Sequence, residues 1–339
     1  MIENITFRQH LLGRVVKFVN SCRMPPLVRP PVLVDLIIGL ARHHEEGEKY
    51  FAEVYLCENI ETVVKLLPGY DVFEVGEISV NEDFVSEILK KCIPLAIERW
   101  SIYIEHSGKT VHYGLFHGAL TPLAVPVDDV LLVNNKGVKI VKIHQTSNDC
   151  IEIRNHRGDH YRVFLSDQKE SEPVLGDYLH KLTAIICAGV KPSLRDSVKT
   201  FIRKALIIGL NSSHGTLIVV CPSLNVPKFL SDGVILKFPI HFSDLVEQTL
   251  DKKLEDEILL SQIALLRGMI NCDGIVVFSR AAQLLAYNVF ITSQHVKQKP
   301  VIGGARKRAF ESLRNKLGRG IDAVYVQSQD GWTNFRKRR

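Results

Sequence analysis

The chain reads as an α+β protein in two parts, a strand-rich α+β N-terminal domain followed by a mixed sheet flanked by helices. Three observations predict this. From Ile102 onward the apolar residues fall in short alternating runs split by turn residues, as in antiparallel strands with one covered face. Past residue 195 the pattern becomes long helical periods separated by continuous β-branched runs, which suit strands covered on both faces. Between the two lie a polar stretch, Ser166–Pro173, and a turn-forming one, Gly189–Ser193. The sequence therefore divides into a first domain over 1–175, a connecting helix and linker over 176–194, and a second domain over 195–339. With 339 residues, 46% of them hydrophobic, there is enough apolar side chain for two cores.

Taken in order, Pro31–Leu67 carries helical apolar spacing. Three hairpins follow. The first joins Ser101–Glu105 to Val111–Phe116 through a His-Ser-Gly-Lys turn, the second joins Val130–Val133 to Val138–Ile143 through Asn134–Gly137, and the third joins Cys150–Arg154 to His160–Leu165. Leu175–Ala188 is the connecting helix and Asp196–Leu210 the first helix of the second domain. Gly215–Val220 reads as a buried strand, and Leu245–Met269 is long enough for two helices. Gly274–Phe278 and Leu284–Ile291 are further strands, Arg306–Leu317 a helix, and Ile321–Val326 the last strand.

Composition narrows the functional classes. The longest apolar stretch, Val32–Ala41, is interrupted by Asp35 and falls short of the ~20 residues that span a bilayer. No secretory leader is recognisable, so a cytoplasmic protein is expected. Seven cysteines, at 22, 57, 92, 150, 187, 221 and 272, contain no Cys-x-x-Cys pair, which predicts reduced thiols without zinc or disulfides. The net charge of +6 is concentrated late in the chain. Lys297–Arg319 holds Lys297, Lys299, Arg306, Lys307, Arg308, Arg314, Lys316 and Arg319 against one acid, Glu311. The closing Arg336–Arg339 reads as a solvated, disordered tail.

Two motifs carry the chemistry. Asp273-Gly274-Ile275 puts a lone carboxylate at a strand entrance, where it can hold a hard divalent cation such as Mg²⁺ or Mn²⁺. Gly304-Ala305-Arg306-Lys307-Arg308 opens a helix with three basic residues, adding Arg306 and Arg308 to the free N–H groups and positive dipole of a helix start. Gly303 and Gly304 let backbone approach phosphates without a side chain in the way. Order and spacing together predict a nucleoside triphosphate site.

The succession of a Gly-Thr-Leu-Ile-Val-Val strand, a long helical stretch, an Asp-Gly-Ile-Val-Val strand, a Gly-Gly-Ala-Arg-Lys-Arg-Ala helix and an Ala-Val-Tyr-Val strand resembles the diadenylate cyclase domain family over about residues 195–335. The resemblance implies condensation of two ATP molecules into cyclic di-AMP by a homodimer or higher homo-oligomer, each protomer holding one ATP. It also implies that Asp273 and Asp330 bind the metal, that Arg306 and Arg308 are the catalytic phosphate clamps, and that Gly274, Ile275, Gly303, Gly304, Ala305, Lys307 and Ser328 line the substrate. The first domain is similar, more weakly, to sensor domains that precede such cyclases, which implies an unknown ligand or protein partner there. Three positions depart from the family pattern. Ile275 stands for an alanine beside the base, Lys307 for a histidine, and Gln329-Asp330 for a pair of glutamates.

Two alternatives stand beside the cyclase. One is a catalytically silent nucleotide sensor with the same fold, and the other a basic adaptor for nucleic acid, for which Trp332, Phe335 and four terminal charges are thin support. His214-Gly215-Thr216 lacks a phosphate-loop lysine and precedes a strand, so it reads as a helix-to-strand turn. His112, His117 and Asp128-Asp129 lack metal-ligand spacing and read as hairpin and loop residues.

Overall fold

The computed structural model describes residues 7–22, 28–42, 51–96, 100–119, 121–133, 137–147, 150–164, 175–211, 213, 215–292, 304–328 and 332–338. The fold is α+β, built from two mixed sheets with helices. The chain forms two compact units, one of Met1–Leu120 with Val125–Glu170 and one of Thr121–Ala124 with Ser171–Arg339.

The first unit runs α1 (Phe7–Cys22), α2 (Pro30–Arg42), β1 (Glu53–Cys57), α3 (Ile60–Val64), β2 (Asp71–Ser79), α4 (Phe84–Cys92), β3 (Ser101–Ser107), β4 (Thr110–His117), α5 (Val127–Leu131), β5 (Ile140–Ser147), β6 (Cys150–Asn155) and β7 (His160–Phe164). Its strands lie in the order β2-β4-β3-β1-β5-β6-β7. One face packs against α1, α2 and α4 through a core that includes Val15, Leu36, Ile88, Val54 and Ile143. The other packs against the short α3 and α5 around Tyr55, Tyr103 and Phe116.

Two sequence expectations are corrected here. Pro31–Leu67 does not stay helical, because Glu53–Cys57 is a central strand, parallel to β3 and antiparallel to β5. Its run of Val54-Tyr55-Leu56-Cys57 is covered on both faces, so no period distinguishes it from a buried helix. Val130–Val133 does not pair with Val138–Ile143, since Val127–Leu131 is a helical turn and β5 pairs instead with β1 and β6. The expected turn residues Asn134 to Lys136 lie outside the described residues. The other two hairpins form, closing at Ser107↔Thr110 and Arg154↔His160.

Over β1, β5, β6 and β7 the face that carries α5 is charged rather than apolar. Successive strands place Glu53, His144, Glu152 and Arg162 in one cross-strand row and Tyr55, Lys142 and Arg154 in the next. Lys142, 2% exposed, donates to both carboxylate oxygens of Asp128 at 2.8 and 2.9 Å and pairs with Glu53 at 2.8 Å. The Tyr55 hydroxyl donates to the same Asp128 at 2.6 Å, and Arg162 Nε to Glu152 at 3.1 Å. Burial opposes ionisation of Asp128, but Lys142 and then Arg154 overcome it and hold the carboxyl below the usual range. Asp128, expected to be a loop residue, is the hub of this array.

The second unit continues with α6 (Leu175–Ile186), α7 (Arg195–Asn211), β8 (Thr216–Cys221), β9 (Leu230–Ser231), β10 (Val234–His241), α8 (Phe242–Leu250), α9 (Asp256–Asn271), β11 (Ile275–Ser279), β12 (Gln283–Ile291), α10 (Ala305–Arg314), β13 (Ala323–Gln327) and β14 (Thr333–Lys337). Strand order is β10-β12-β11-β8-β13-β14, with β9 paired to β12 and only β8 and β11 parallel. Ile218, Val220, Val276 and Phe278 face α6 to α9, whereas Leu217, Val219, Ile275 and Val277 face α10 through Phe310 and Leu313. The helix expected to connect the domains is part of this core, with Leu179, Leu182 and Ile186 buried in it. Arg336 and Lys337, expected in a disordered tail, pair with Val324 and Ala323 as edge strand β14. Among the described residues six cysteines are free, and no helix is long and apolar enough to cross a membrane.

His144 sits in the charged array, and burial, then the Lys142 ammonium, push its imidazole from an ordinary 6.5 down to about 4. The sign follows directly. Between these values the unfolded chain binds a proton that the folded chain refuses, so stability falls as pH falls through that window. The slope reaches at most about 1.4 kcal/mol per pH unit. Urea unfolding of the full chain at pH 7 and pH 5 should show this loss, and His144→Gln should flatten it; an equal loss in the variant assigns the effect elsewhere.

Candidate functional site

The site grows from the entrance of β11. Strand β11 runs parallel to β8 at the centre of the sheet, all five of its residues are buried, and so its N-terminal end is held from both sides. The chain enters it through Gly274, whose φ of +99° is open to glycine but strained for other residues. A Cβ there would lie 2.9 Å from the Asn288 carbonyl carbon and 3.0 Å from its Cα, so backbone closes the space behind the turn. Asp273 consequently projects outward, its side chain 87% exposed.

Helix α10 supplies the second half. Gly304 is its N-cap in extended conformation and offers no capping side chain of its own, and the first-turn N–H groups carry the positive end of the helix dipole. The helix is fixed by Phe310 and Leu313, buried against the sheet. From its second position Arg306 Nη2 donates to Asp273 Oδ1 at 3.3 Å across 33 residues of sequence. Arg308, exposed two residues on, projects from a different side of the helix.

The remaining predicted residues separate. Ile275 is 2% exposed and belongs to the core with Leu217, Phe310 and Val324, so its bulk is taken up in packing. Lys307 does not join the arginines. Its ammonium lies 5.7 Å from the centre of the Trp332 ring, which in turn meets Phe310 edge-on at 5.9 Å. Ser328 closes the β13–β14 turn, its N–H and hydroxyl both donating to the Trp332 carbonyl at 2.8 and 3.1 Å. Gly304 and Ala305 stand at the exposed helix start, while Gly303, Gln329 and Asp330 lie outside the described residues.

Trp332, read from the sequence only as thin support for nucleic-acid stacking, instead packs on the first turns of α10. The signal was present, since Lys307 and Phe310 are three apart on α10 and share a face that an aromatic can cover. The imagined metal residues disperse. His112 bonds Glu74 across strands at 3.2 Å, His117 bonds the Gly118 carbonyl at 2.7 Å and Asp128 lies in the charged array.

Among the described residues no group of three or more His, Cys, Asp or Glu is placed to hold a metal ion. Asp273 offers a single carboxylate, already bonded to Arg306, so a Mg²⁺ or Mn²⁺ ion there would have to take most of its shell from phosphate oxygens and water. No protein-family model matches this chain, and no curated protein matches it. Because an exposed ion pair is worth about 0–1 kcal/mol, Arg306→Gln should leave the unfolding midpoint nearly unchanged. The same variant should weaken binding of inorganic tripolyphosphate roughly tenfold or more in calorimetric titration; unchanged affinity would take Arg306 out of the site.

Proposed function

We infer that the second unit binds ATP at the Asp273–α10 site and, as a homodimer or higher homo-oligomer, joins two ATP molecules into cyclic di-AMP with release of two pyrophosphates. The observation that carries the reading is the meeting of Asp273 and Arg306 beside an uncapped helix start, in the motif order that resembles the diadenylate cyclases. In each half-reaction the 3′-hydroxyl of one ATP attacks the α-phosphorus of the other, the hydroxyl proton is lost and pyrophosphate departs. Negative charge builds on the α-phosphoryl oxygens and on the leaving group, so positioned cations are the main requirement.

This chain's residues match that demand in position. Arg306, released from Asp273 by an incoming triphosphate, turns its fork to the phosphate oxygens, and Arg308 adds a second guanidinium on another side of the helix. Gly304 carries no side chain between the backbone N–H groups and the ligand. Asp273 would hold the Mg²⁺ or Mn²⁺, which supplies Lewis-acid stabilisation of the α-phosphate. Lys307 acts through Trp332, which ties the first turns of α10 to the β13–β14 turn. One protomer positions one ATP, hence the need for a second copy. A cytoplasmic location, with its supply of ATP, and regulation by the first unit complete the reading.

A second reading, a nucleotide sensor without turnover, is favoured by the single described carboxylate at the site and by the diversion of Lys307 to Trp332. Incubation of the purified chain with ATP and Mn²⁺, followed by chromatography, separates the two. Cyclic di-AMP is the expected product; bound ATP with no product supports the sensor, and no ATP binding removes both. Asp273→Asn should abolish turnover while leaving the unfolding free energy within about 0.5 kcal/mol, and an undiminished rate would exclude Asp273 from catalysis.

A further inference from the structure

In the charged array of the first unit, nearly every ionised group is hydrogen-bonded to an opposite charge. Lys142 serves Asp128 and Glu53, Arg162 serves Glu152, and Ser101 adds a contact to Glu53 at 3.4 Å. Arg154 is the exception. Its side chain is 14% exposed, yet its nearest carboxylate oxygens, on Glu152 and Asp128, stand at 3.7 and 3.9 Å, and its buried Nε has no acceptor. Diagonally across the β5–β6 pairing lies His144, 9% exposed, whose Nδ1 also has no partner. A buried donor left without an acceptor costs about 1–3 kcal/mol. Arg154 Nε and His144 Nδ1, on the same face of adjacent strands, are thus hydrogen-bonding atoms the fold leaves unused, although the Arg154 charge is balanced at longer range by Glu152 and Asp128.

The shape of the cluster agrees. Lys142, Glu152 and Arg162 form a buried floor, whereas Arg154, Asp128 and Glu53 are more open and form its rim. Glu53, Asp128 and Glu152 balance Lys142, Arg154 and Arg162, so with a neutral His144 the array has no net charge. A planar guanidinium matches the paired oxygens of a carboxylate or phosphate. A monoanion entering alone would leave one uncompensated negative charge in a poorly solvated place, which is costly.

We propose that this array is a binding site for a small oxyanion, a carboxylate or a phosphate, gripped by the Arg154 fork and accompanied by a proton taken up on His144. The groups facing the imidazole permit the exchange. Glu53 on β1 and Glu152 on β6 lie directly across from it and favour its charged form, Asp128 on α5 adds to them, and Lys142, Arg154 and Arg162 oppose. The anion tips that balance by neutralising Arg154. Affinity then rises as pH falls, up to about tenfold per pH unit between the titration of the bound and the free imidazole.

The test uses the full chain in buffers free of carboxylate and phosphate, with chloride holding ionic strength constant. Acetate and inorganic phosphate are the two probes, each titrated from pH 7.5 to 5.5 and read by calorimetry and thermal unfolding. At least one probe should bind the wild type more tightly at pH 5.5 than at 7.5, and the probe that binds identifies the carboxylate or the phosphate as the source. Arg154→Met should lose that binding, and because it also leaves the three carboxylates one cation short it should unfold earlier than wild type without anion. Arg154→Lys, which keeps the charge but not the planar fork, should unfold close to wild type and still bind more weakly by roughly tenfold or more. His144→Gln should bind with little pH dependence. If neither probe distinguishes wild type from Arg154→Met, the unpartnered atoms hold water only and the site is refuted. An Arg154→Lys variant that binds both probes as tightly as wild type would likewise refute the grip by the guanidinium fork.

Discussion

Strands Thr216–Cys221 and Ile275–Ser279 run parallel at the middle of the second sheet with every residue buried, and both of their faces must therefore be covered. Helices α6 to α9 cover one face and α10 the other. Parallel neighbours cannot be joined by a tight turn, so the chain between them must travel through a crossover. It leaves the C-terminal end of β8, makes β9, β10, α8 and α9, and comes back at Asp273 to the opposite end of the sheet, where β8 began. The carboxylate stands where the crossover ends. Covering the second face requires α10, whose apolar side is anchored by Phe310 and Leu313 and whose uncapped first turn then lies beside Asp273. The candidate site is thus a by-product of satisfying two buried strands.

The first unit solves the same problem with different material. One face of its sheet is closed by an ordinary apolar layer from α1, α2 and α4. The other, over β5 to β7, is closed by ion pairs. Buried pairs of this kind are weak evidence for stability, because desolvation offsets most of their mutual attraction. Lys142 nevertheless cannot be dispensed with once its partners are present, since removing it would leave the half-buried Asp128 and Glu53 short of their shared cation. Their value lies in directionality, for they orient Asp128, Tyr55 and Arg154 in a way that no apolar core would require.

How far the sequence reveals this depends on whether the determining feature is local. Helices α7 and α9 and strands β8 and β11 are legible because their periods persist over a whole element, and the β3–β4 hairpin because a turn sits between two alternating runs. Strand β1 is hidden inside Pro31–Leu67, where Val54-Tyr55-Leu56-Cys57 suits either period. Strand β10 is hidden for the opposite reason, being too exposed to show a covered face, and β14 because only Thr333 and Phe335 of its five residues are covered. Asp273, Arg306 and Arg308 stand out as residue types at a strand entrance and a helix start. The Lys307–Trp332 contact and the array around Arg154 do not, because both depend on which strands and turns become neighbours rather than on spacing along the chain.

The two charged clusters also differ in what they can do. Two unit charges about 4 Å apart attract by roughly 1 kcal/mol in water, and the pair formed by Asp273 and Arg306 is largely in water. A triphosphate carries several negative charges and presents paired oxygens to the guanidinium, so it outcompetes one exposed carboxylate at little cost and frees that carboxylate for a cation. Breaking a buried pair costs about 3–5 kcal/mol, so Lys142, Asp128 and Glu53 cannot exchange partners in that way. A buried array can respond only through atoms that begin without a hydrogen-bond partner. In the first unit those are Arg154 Nε and His144 Nδ1, while in the second the exposed pair itself is the element that exchanges.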